Sequence, residues 1–596
     1  MMKNTLHKIL AIVCLTGFQF GSLLAQDGSA LPTEKEKDEK RIRFNGLGRS
    51  ILSQNTVTGD VLESDTNTLR QITDGEFLLD LAINATPNKK TEVQSILRLR
   101  NEFGGFYGAG VTVEVRELWA RGIIADRFRY RVGDMDVAMT PYTFFNPNEE
   151  GTVNEAAAFI PFKDVINYEQ FYSPNNTRRV QGAQMDFGLN FSKILDELEF
   201  KSFIARVRGT DFFTVPTRFT SGGQLNFSTD KLSDSLGTMG KFGINLAHTF
   251  DDLQSGNATS GIRNTVFSFN FDVTIFNKKN TSLNLIGETG QSNLTSRRDS
   301  LTLSEEDDTF LDIGLKLNLK PQKLSIIASF IDVGPDFFSM GAQSKRVDFN
   351  ANKTYLNRIG VDDVLRTPSI FDLSRDRALY TFRLSDQLMA YDPRFSNTMP
   401  YGTATPNRRG INTTINYGNA DDFIEAELKA AFLNEIRGQG TFELKSFTLL
   451  RASANFNFHK LINWENKLRL TLGYQYEQTN RGGIDVEVID LNSNLIEAGL
   501  EVELFTDFEL LFGTKMLTAK GNEYIPLYAD FNNIQDFPSQ YVVDDTESLI
   551  AAGLRYNFKK GIYLTVQYQS FTSQRGQNNP NNYGFNQFFA IYNMNF

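Results

Sequence analysis

A single cysteine, Cys14, occurs in 596 residues. One thiol forms no intrachain disulfide and supplies none of the paired spacings of a zinc site. Histidine is almost as scarce, with three in the chain, of which only His248 and His459 lie beyond the N-terminal stretch. His248 precedes Thr249, but neighbours on a strand point to opposite sides, so adjacency does not make them a base and nucleophile. His459 stands near Trp464 in an apparent turn, the setting of a membrane-interface residue. Neither a phosphate-cradling loop nor a dinucleotide fingerprint appears. The acidic pairs Asp362-Asp363 and Asp544-Asp545 match no defined calcium loop. No enzyme activity, cofactor or metal is therefore expected, and no catalytic residue is assigned. The formal net charge of −10 lacks the basic excess that a nucleic-acid partner requires. After residue 25 no run approaches the roughly 20 apolar residues of a membrane-crossing helix.

The N-terminus holds Lys3 and Lys8, the apolar run Ile9–Leu15, and Leu23-Leu24-Ala25 before Gln26. That layout predicts a secretory signal over residues 1–25, cleaved after Ala25. Its apolar core breaks at Thr16, Gly17 and Gln19, which makes it too short for an anchor. Residues 26–40, rich in Glu and Lys and containing Pro32, read as a flexible charged lead-in.

From about residue 41 onward the dominant pattern has a period of two. In 466–477, Leu468, Leu470, Leu472, Tyr474 and Tyr476 share one face, and Arg469, Thr471, Gln475 and Glu477 share the other. Residues 310–319, 182–191 and 562–569 alternate in the same way, as strands with one apolar and one polar face do. The chain ends on such a strand: Phe588, Ala590, Tyr592, Met594 and Phe596 lie on one side, with Gln587, Phe589, Ile591, Asn593 and Asn595 on the other. About twenty such segments, many near ten residues long, fit membrane-spanning strands better than a soluble sandwich.

This closing strand resembles the last strand of bacterial outer-membrane β-barrels, whose terminal aromatic is read by the insertion machinery. Phe588, Tyr592, Met594 and Phe596 carry the likeness. It implies an all-β fold, a transmembrane antiparallel up-and-down barrel over 41–596 with long extracellular loops, exported to the outer membrane. Outer-membrane lipid and the insertion machinery are the implied partners, with self-association or other outer-membrane proteins left open. Link lengths support the same topology. Short links near 87–90, 125–126, 192–195, 277–280, 320–322, 418–421, 459–462, 506–507 and 558–561 alternate with longer ones. The alternation fails once, over 211–261, where one strand is missing or surplus. About 18–22 strands are therefore expected, an even number in bacterial barrels. Large loops are expected near 139–177, 335–408 and 519–546.

On this geometry the residues opposite the apolar faces line the lumen. Arg98, Arg100, Arg129, Arg131, Arg206 and Arg208, with Glu102 and Glu114, are the candidate pore-lining residues. Two readings stay open, an anion-orienting wall or mutually compensating charges around a closed lumen. The 139–177 loop contains Thr140-Pro-Tyr-Thr-Phe-Phe-Asn-Pro147 and Ala156-Ala-Ala-Phe-Ile-Pro161. That content is too apolar for a solvated loop and predicts inward folding, with packing on a partner as the alternative. The expected function is porin-type passive diffusion of small polar solutes, anions among them. The alternative is a barrel subunit acting as docking scaffold in a larger assembly, secretion or envelope complex. An energised importer of the TonB-dependent kind fits less well, because no separate plug domain precedes the first strand.

Overall fold

The computed structural model describes residues 41–596 apart from 60–69, 104–109, 148–153, 174, 192–194, 234–237, 254–259, 299–300, 352–367, 420, 526–527, 531–532, 535–538 and 577–581. The expected signal and lead-in, and Asp362-Asp363, lie outside the described residues. Twenty-two antiparallel strands form one sheet closed on itself. The first five are β1 Ile42–Gly59, β2 Gln71–Asn88, β3 Thr91–Glu102, β4 Val111–Ile124 and β5 Phe128–Val137. A long inserted segment, 138–177, precedes β6 Arg178–Asn190, β7 Glu197–Arg208, β8 Thr217–Ser233 and β9 Thr238–Asp252. Then come β10 Ser260–Lys278, β11 Thr281–Arg298, β12 Leu301–Leu319 and β13 Leu324–Val333. A second insert, 334–407, leads to β14 Arg408–Gly418, β15 Ile424–Asn434, β16 Ser446–Asn457 and β17 Leu468–Arg481. The last strands are β18 Ile489–Phe505, β19 Phe508–Ile525, β20 Ser539–Lys559, β21 Ile562–Arg575 and β22 Tyr583–Asn595.

Each strand pairs with its sequence neighbours, and β1 closes the ring by pairing with β22 from Leu47↔Asn595 to Gly59↔Tyr583. Closure removes the open edges that hydrocarbon does not tolerate. Beyond the ladder, Gly46 N–H donates to the Phe596 carbonyl at 2.9 Å. Glycine is required there, since a Cβ would stand 2.8 Å from the Phe596 ring and 2.2 Å from the Asp80 carbonyl oxygen. Outward faces carry exposed apolar side chains such as Val113, Val115, Ile204, Leu315, Ile496 and Phe588. Their strand neighbours point inward, as in a barrel that faces lipid on one side only.

Short and long links alternate around most of the ring; the exceptions are 299–300 between β11 and β12, short where a long link is due, and 458–467 between β16 and β17, longer than the 482–488 link that follows. The irregularity over 211–261 resolves into two strands, β8 and β9, separated only by 234–237. Between Ser228 and Ser235 only Leu232 is apolar, so the sequence shows no period of two there. The loop expected at 519–546 is a correction: β19 runs on to Ile525 and pairs with Ser539 at the start of β20. Lys520–Ile525 and Ser539–Asp545 are wall rather than loop, and the link shrinks to 526–538. The loops expected at 139–177 and 335–408 match the two inserts.

One joint in the wall is shorter than the rest. The β4–β5 ladder runs only from Ile124↔Phe128 to Trp119↔Gly133, whereas β3 accompanies β4 up to Val111↔Asn101. Gly133 has φ +103°, and a Cβ would meet the Leu118 carbonyl oxygen at 2.2 Å. There β5 turns away from β4. Side chains close the joint instead: the Asp134 carboxylate accepts from Leu118 N–H at 2.6 Å, and Arg179 links Glu117 to Asp136 at 2.7 Å each.

Both inserts fold inward and carry the helices α1 Ile160–Glu169, α2 Ile370–Arg375 and α3 Pro393–Ser396. Ala156–Phe159, Ile370, Phe371 and Phe395 form one buried cluster with Leu495, Leu511, Leu549, Phe571 and Phe585 of the inner wall. Apolar residues thus also face inward where this cluster touches the barrel.

Candidate functional site

The segment Ala156-Ala157-Ala158-Phe159 seats against β18 and β19 because both strands offer glycine there. A Cβ on Gly499 would stand 2.4 Å from the Ala156 Cβ, and one on Gly513 would stand 2.9 Å from the Phe159 ring. Pro161 lies in the first turn of α1, where a missing N–H costs nothing. Phe162, Val165 and Ile166 are buried, and Phe162 meets Phe589 of β22 edge-on at 4.5 Å between centroids.

Glu169 ends this helix, and the last turn holds no basic residue. A carboxylate at a helix C-terminus is disfavoured by the helix dipole, so its stabilisation comes from elsewhere. Arg98 and Arg100 of β3 each donate to Glu169 Oε2 at 2.8 Å, and Arg49 of β1 donates to Oε1. Arg98 also grips Asp80 of β2 through two bonds of 2.8 and 2.7 Å. Arg116 of β4 donates to Asp80 at 2.7 Å and lies over the Tyr168 and Phe171 rings, 3.8 and 4.5 Å from their centroids. The Tyr168 hydroxyl donates to Asp80. Glu76 stands 3.3 Å from Arg377, 3.9 Å from Arg100 and 4.0 Å from Arg49. Burial alone pushes the Glu169 carboxyl up, but Arg49, Arg98, Arg100 and Arg377 outweigh it and hold it at about 2. It is therefore a fixed anion inside an arginine clasp.

Two further ionic anchors hold the plug. Glu155 accepts from Lys163 of α1 and from Lys515 of β19. Burial raises its carboxyl, yet the two ammonium groups hold it well below the usual carboxylate range. Arg394 of α3 is fully buried and reaches Asp392, Asp545 and Glu547 at 2.7, 2.7 and 3.0 Å. Glu547 also accepts from Ile370 N–H, the first residue of α2, at 2.8 Å. One member of the acidic pair noted at 544–545 is thus a structural counterion.

The clasp joins two of the expected pore-lining arginines, Arg98 and Arg100. Glu114 stands 3.9 Å from Arg98 Nε with its side chain more than half exposed, and Glu102 is exposed opposite Glu76 at the far end of β3. Arg129 pairs with Asp186 toward the opposite end of the barrel. Arg131 lies over Trp119 and 3.7 Å from Glu117. Arg206 is a correction: it is exposed on the outer face beside Ile204. Phe203, Ala205 and Val207 take the inner face instead, packing on Met135 and Phe144. A register shift between Arg206 and Arg208 then turns Arg208 to Asp251 at 3.0 Å. Arg208 borders a cavity of about 1110 Å³ on the long-loop side, which Arg218, Tyr391, Arg408 and Arg437 also line. Phe588, Tyr592, Met594 and Phe596 share the outward face of β22, with Phe588 and Phe596 exposed.

Glu169, Tyr168, Arg49, Arg116, Asp80, Glu155 and Lys515 were not singled out in the sequence. The only signal was composition, an apolar Ala- and aromatic-rich insert between strands.

No protein-family model matches the chain, and no curated protein matches it in sequence. Among solved structures it is similar to the unliganded ferric citrate transporter FecA, at 9% identity and TM-score 0.47, covering 93% of this chain and 78% of that one. It is similar to a BenF-like porin from Pseudomonas fluorescens Pf-5, at 8% identity and TM-score 0.33, covering 94% and 99%. It is also similar to BauA, the ferric preacinetobactin receptor from Acinetobacter baumannii, at 11% identity and TM-score 0.44, covering 93% and 81%. At these values the fold assignment stands on the barrel's own register and closure.

Proposed function

We propose that this chain is a transport barrel of the bacterial outer membrane that passes small polar, anionic solutes and is closed at rest by its own inward-folded loops. The observation that carries this reading is the clasp. The plug is held at the arginine-rich wall by ionic contacts between side chains, which exchange without any covalent step. The apolar outer face supports a membrane setting, and Phe588, Tyr592, Met594 and Phe596 serve as the insertion signature. Passage is passive and needs α1 to leave the wall, so the barrel is a gated channel rather than a permanently open pore. Planar-bilayer recording tests this. The native protein conducts rarely, and Glu169→Gln raises the open fraction with a preference for anions. That preference falls when Arg98, Arg100, Arg129 and Arg131 are replaced together. A Glu169→Gln barrel that conducts nothing refutes the reading.

A second reading rests on a different feature. Phe212 and Phe213 on one long-side loop, and Phe442, Ile484 and Val486 on two others, are strongly exposed; the last two loops touch through Thr441 and Glu487 at 2.6 Å. Such apolar tips suit a barrel that acts as a docking scaffold. Co-purification of a stoichiometric companion that is lost on Phe442→Ser favours it; a lone barrel that conducts favours the channel.

A further inference from the structure

We infer that the arginine clasp is itself a binding site for a compact anion with two or more acid oxygens, and that Glu169 occupies it as a built-in competitor. This deepens the transport reading above by naming the solute chemistry and the trigger.

Among the described residues, the wall arginines Arg49, Arg98, Arg100 and Arg116 face Glu76, Asp80 and Glu169 through the contacts already described. Four guanidiniums stand against three carboxylates, an excess of one that only the 59% exposed Glu114 offsets. The excess sits where solvent screens poorly, since the side chains of Arg49, Arg98 and Arg116 are 3%, 6% and 6% exposed. Donors are left over as well. Among the described residues, the buried Nε atoms of Arg49 and Arg100 donate to nothing. A planar guanidinium normally presents its fork to two oxygens, and a single monodentate oxygen from Glu169 does not fill either fork.

Glu169 approaches from the plug, while Arg49, Arg98 and Arg100 project from β1 and β3 of the wall. The two halves of the contact therefore belong to a movable insert and a rigid frame. A phosphate or dicarboxylate entering the nest takes the oxygen positions of Glu169 and reaches the spare Nε donors that Glu169 leaves unused. Glu169 is then expelled into like charge, and the end of α1 leaves the wall. No covalent bond changes. Binding and opening are coupled because the solute and the plug compete for the same donors.

The experiment uses the full-length barrel in detergent, in a Cys14→Ser background with Val165→Cys on the buried face of α1. Labelling of that thiol by a bulky maleimide reports undocking. Inorganic phosphate raises the labelling rate saturably, at least tenfold above sodium chloride of equal ionic strength. By calorimetry, Glu169→Gln binds phosphate at least tenfold more tightly than the parent, since its competitor is gone. Malonate is run as a parallel arm: a response to malonate alone assigns a carboxylate solute, and a response to phosphate alone assigns a phosphoryl one. Arg100→Lys, which keeps the charge and loses the fork, weakens the response severalfold in a barrel that still migrates as a folded, heat-modifiable species. Absence of any response beyond chloride, or equal affinity in parent and Glu169→Gln, overturns the inference. Conductance is scored separately. A conducting barrel blind to both anions refutes the competitor and leaves the channel standing; a responsive barrel that never conducts does the reverse.

Discussion

Replacing Glu169 by glutamine removes one negative charge from a site where it serves three arginines. Burial of Phe159, Phe162, Val165 and Ile166 favours docking of α1 and ordering its backbone opposes it, so the ionic contacts at its end weigh on the outcome. Removing one partner of a buried ion cluster costs about 3–5 kcal/mol. The Glu169 side chain is only 7% exposed, so solvent screening does not erase the effect. At about 1.4 kcal/mol per factor of ten, the undocked fraction rises roughly a hundredfold at the low end, which suits a glutamine that still accepts hydrogen bonds. The Val165→Cys labelling rate reads that fraction directly. A rate within threefold of the parent would show that the plug is held by its apolar contacts alone.

Other consequences are as open to measurement. Gly499→Val drives a side chain into Ala156, so it speeds the same labelling at least tenfold without touching an ionic contact. Glu169 is held at about 2 by its arginines, and Glu155 well below the usual carboxylate range by Lys163 and Lys515. A depressed carboxyl contributes its full stabilisation above its ordinary value, near 4.5, and that contribution shrinks as pH falls from there through the depressed value. Conductance should therefore stay low and flat from about pH 7 to about pH 5 and rise only as pH falls further; opening near pH 6 contradicts the clasp. Gly46→Val places a branched side chain against Phe596 and the Asp80 carbonyl. It weakens barrel closure by about 1–3 kcal/mol, seen as loss of the folded gel band at lower temperature. Amides of Val111–Arg116, beyond the short β4–β5 ladder, exchange faster with deuterium than those of Trp119–Ile124 on the same strand; equal protection would mean the joint is covered by something else.

Much of the barrel was legible because a strand writes its orientation into every second residue. Leu97 and Leu99 against Arg98 and Arg100 gave the correct wall face with no tertiary information. The same rule failed at Arg206, where alternation is intact but the buried partners Met135 and Phe144 choose Ala205 for the inside. It failed again around Ser228–Ser235, where apart from Leu232 both faces are polar and no alternation marks where β8 ends. The clasp was half visible. Its wall arginines follow the strand period, but Glu169 is 120 residues from Arg49 and 69 from Arg100, and no local pattern encodes a contact across a lumen. The Ala-rich stretch of the first insert did announce burial, though not the glycines at 499 and 513 that receive it.

The first and last strands meet beneath the plug: Phe162 of α1 packs on Phe589 and Ile591 of β22 and on Ile51 of β1, and Val57 and Phe585 share the main buried cluster. The stopper is thus also a staple across the place where the ring is joined. The bond between first and last strand is thus reinforced from inside the ring as well as along the ladder. A chain cut before its final strand would lose more than a stave, because the internal packing that locks the ring would have nothing to grip.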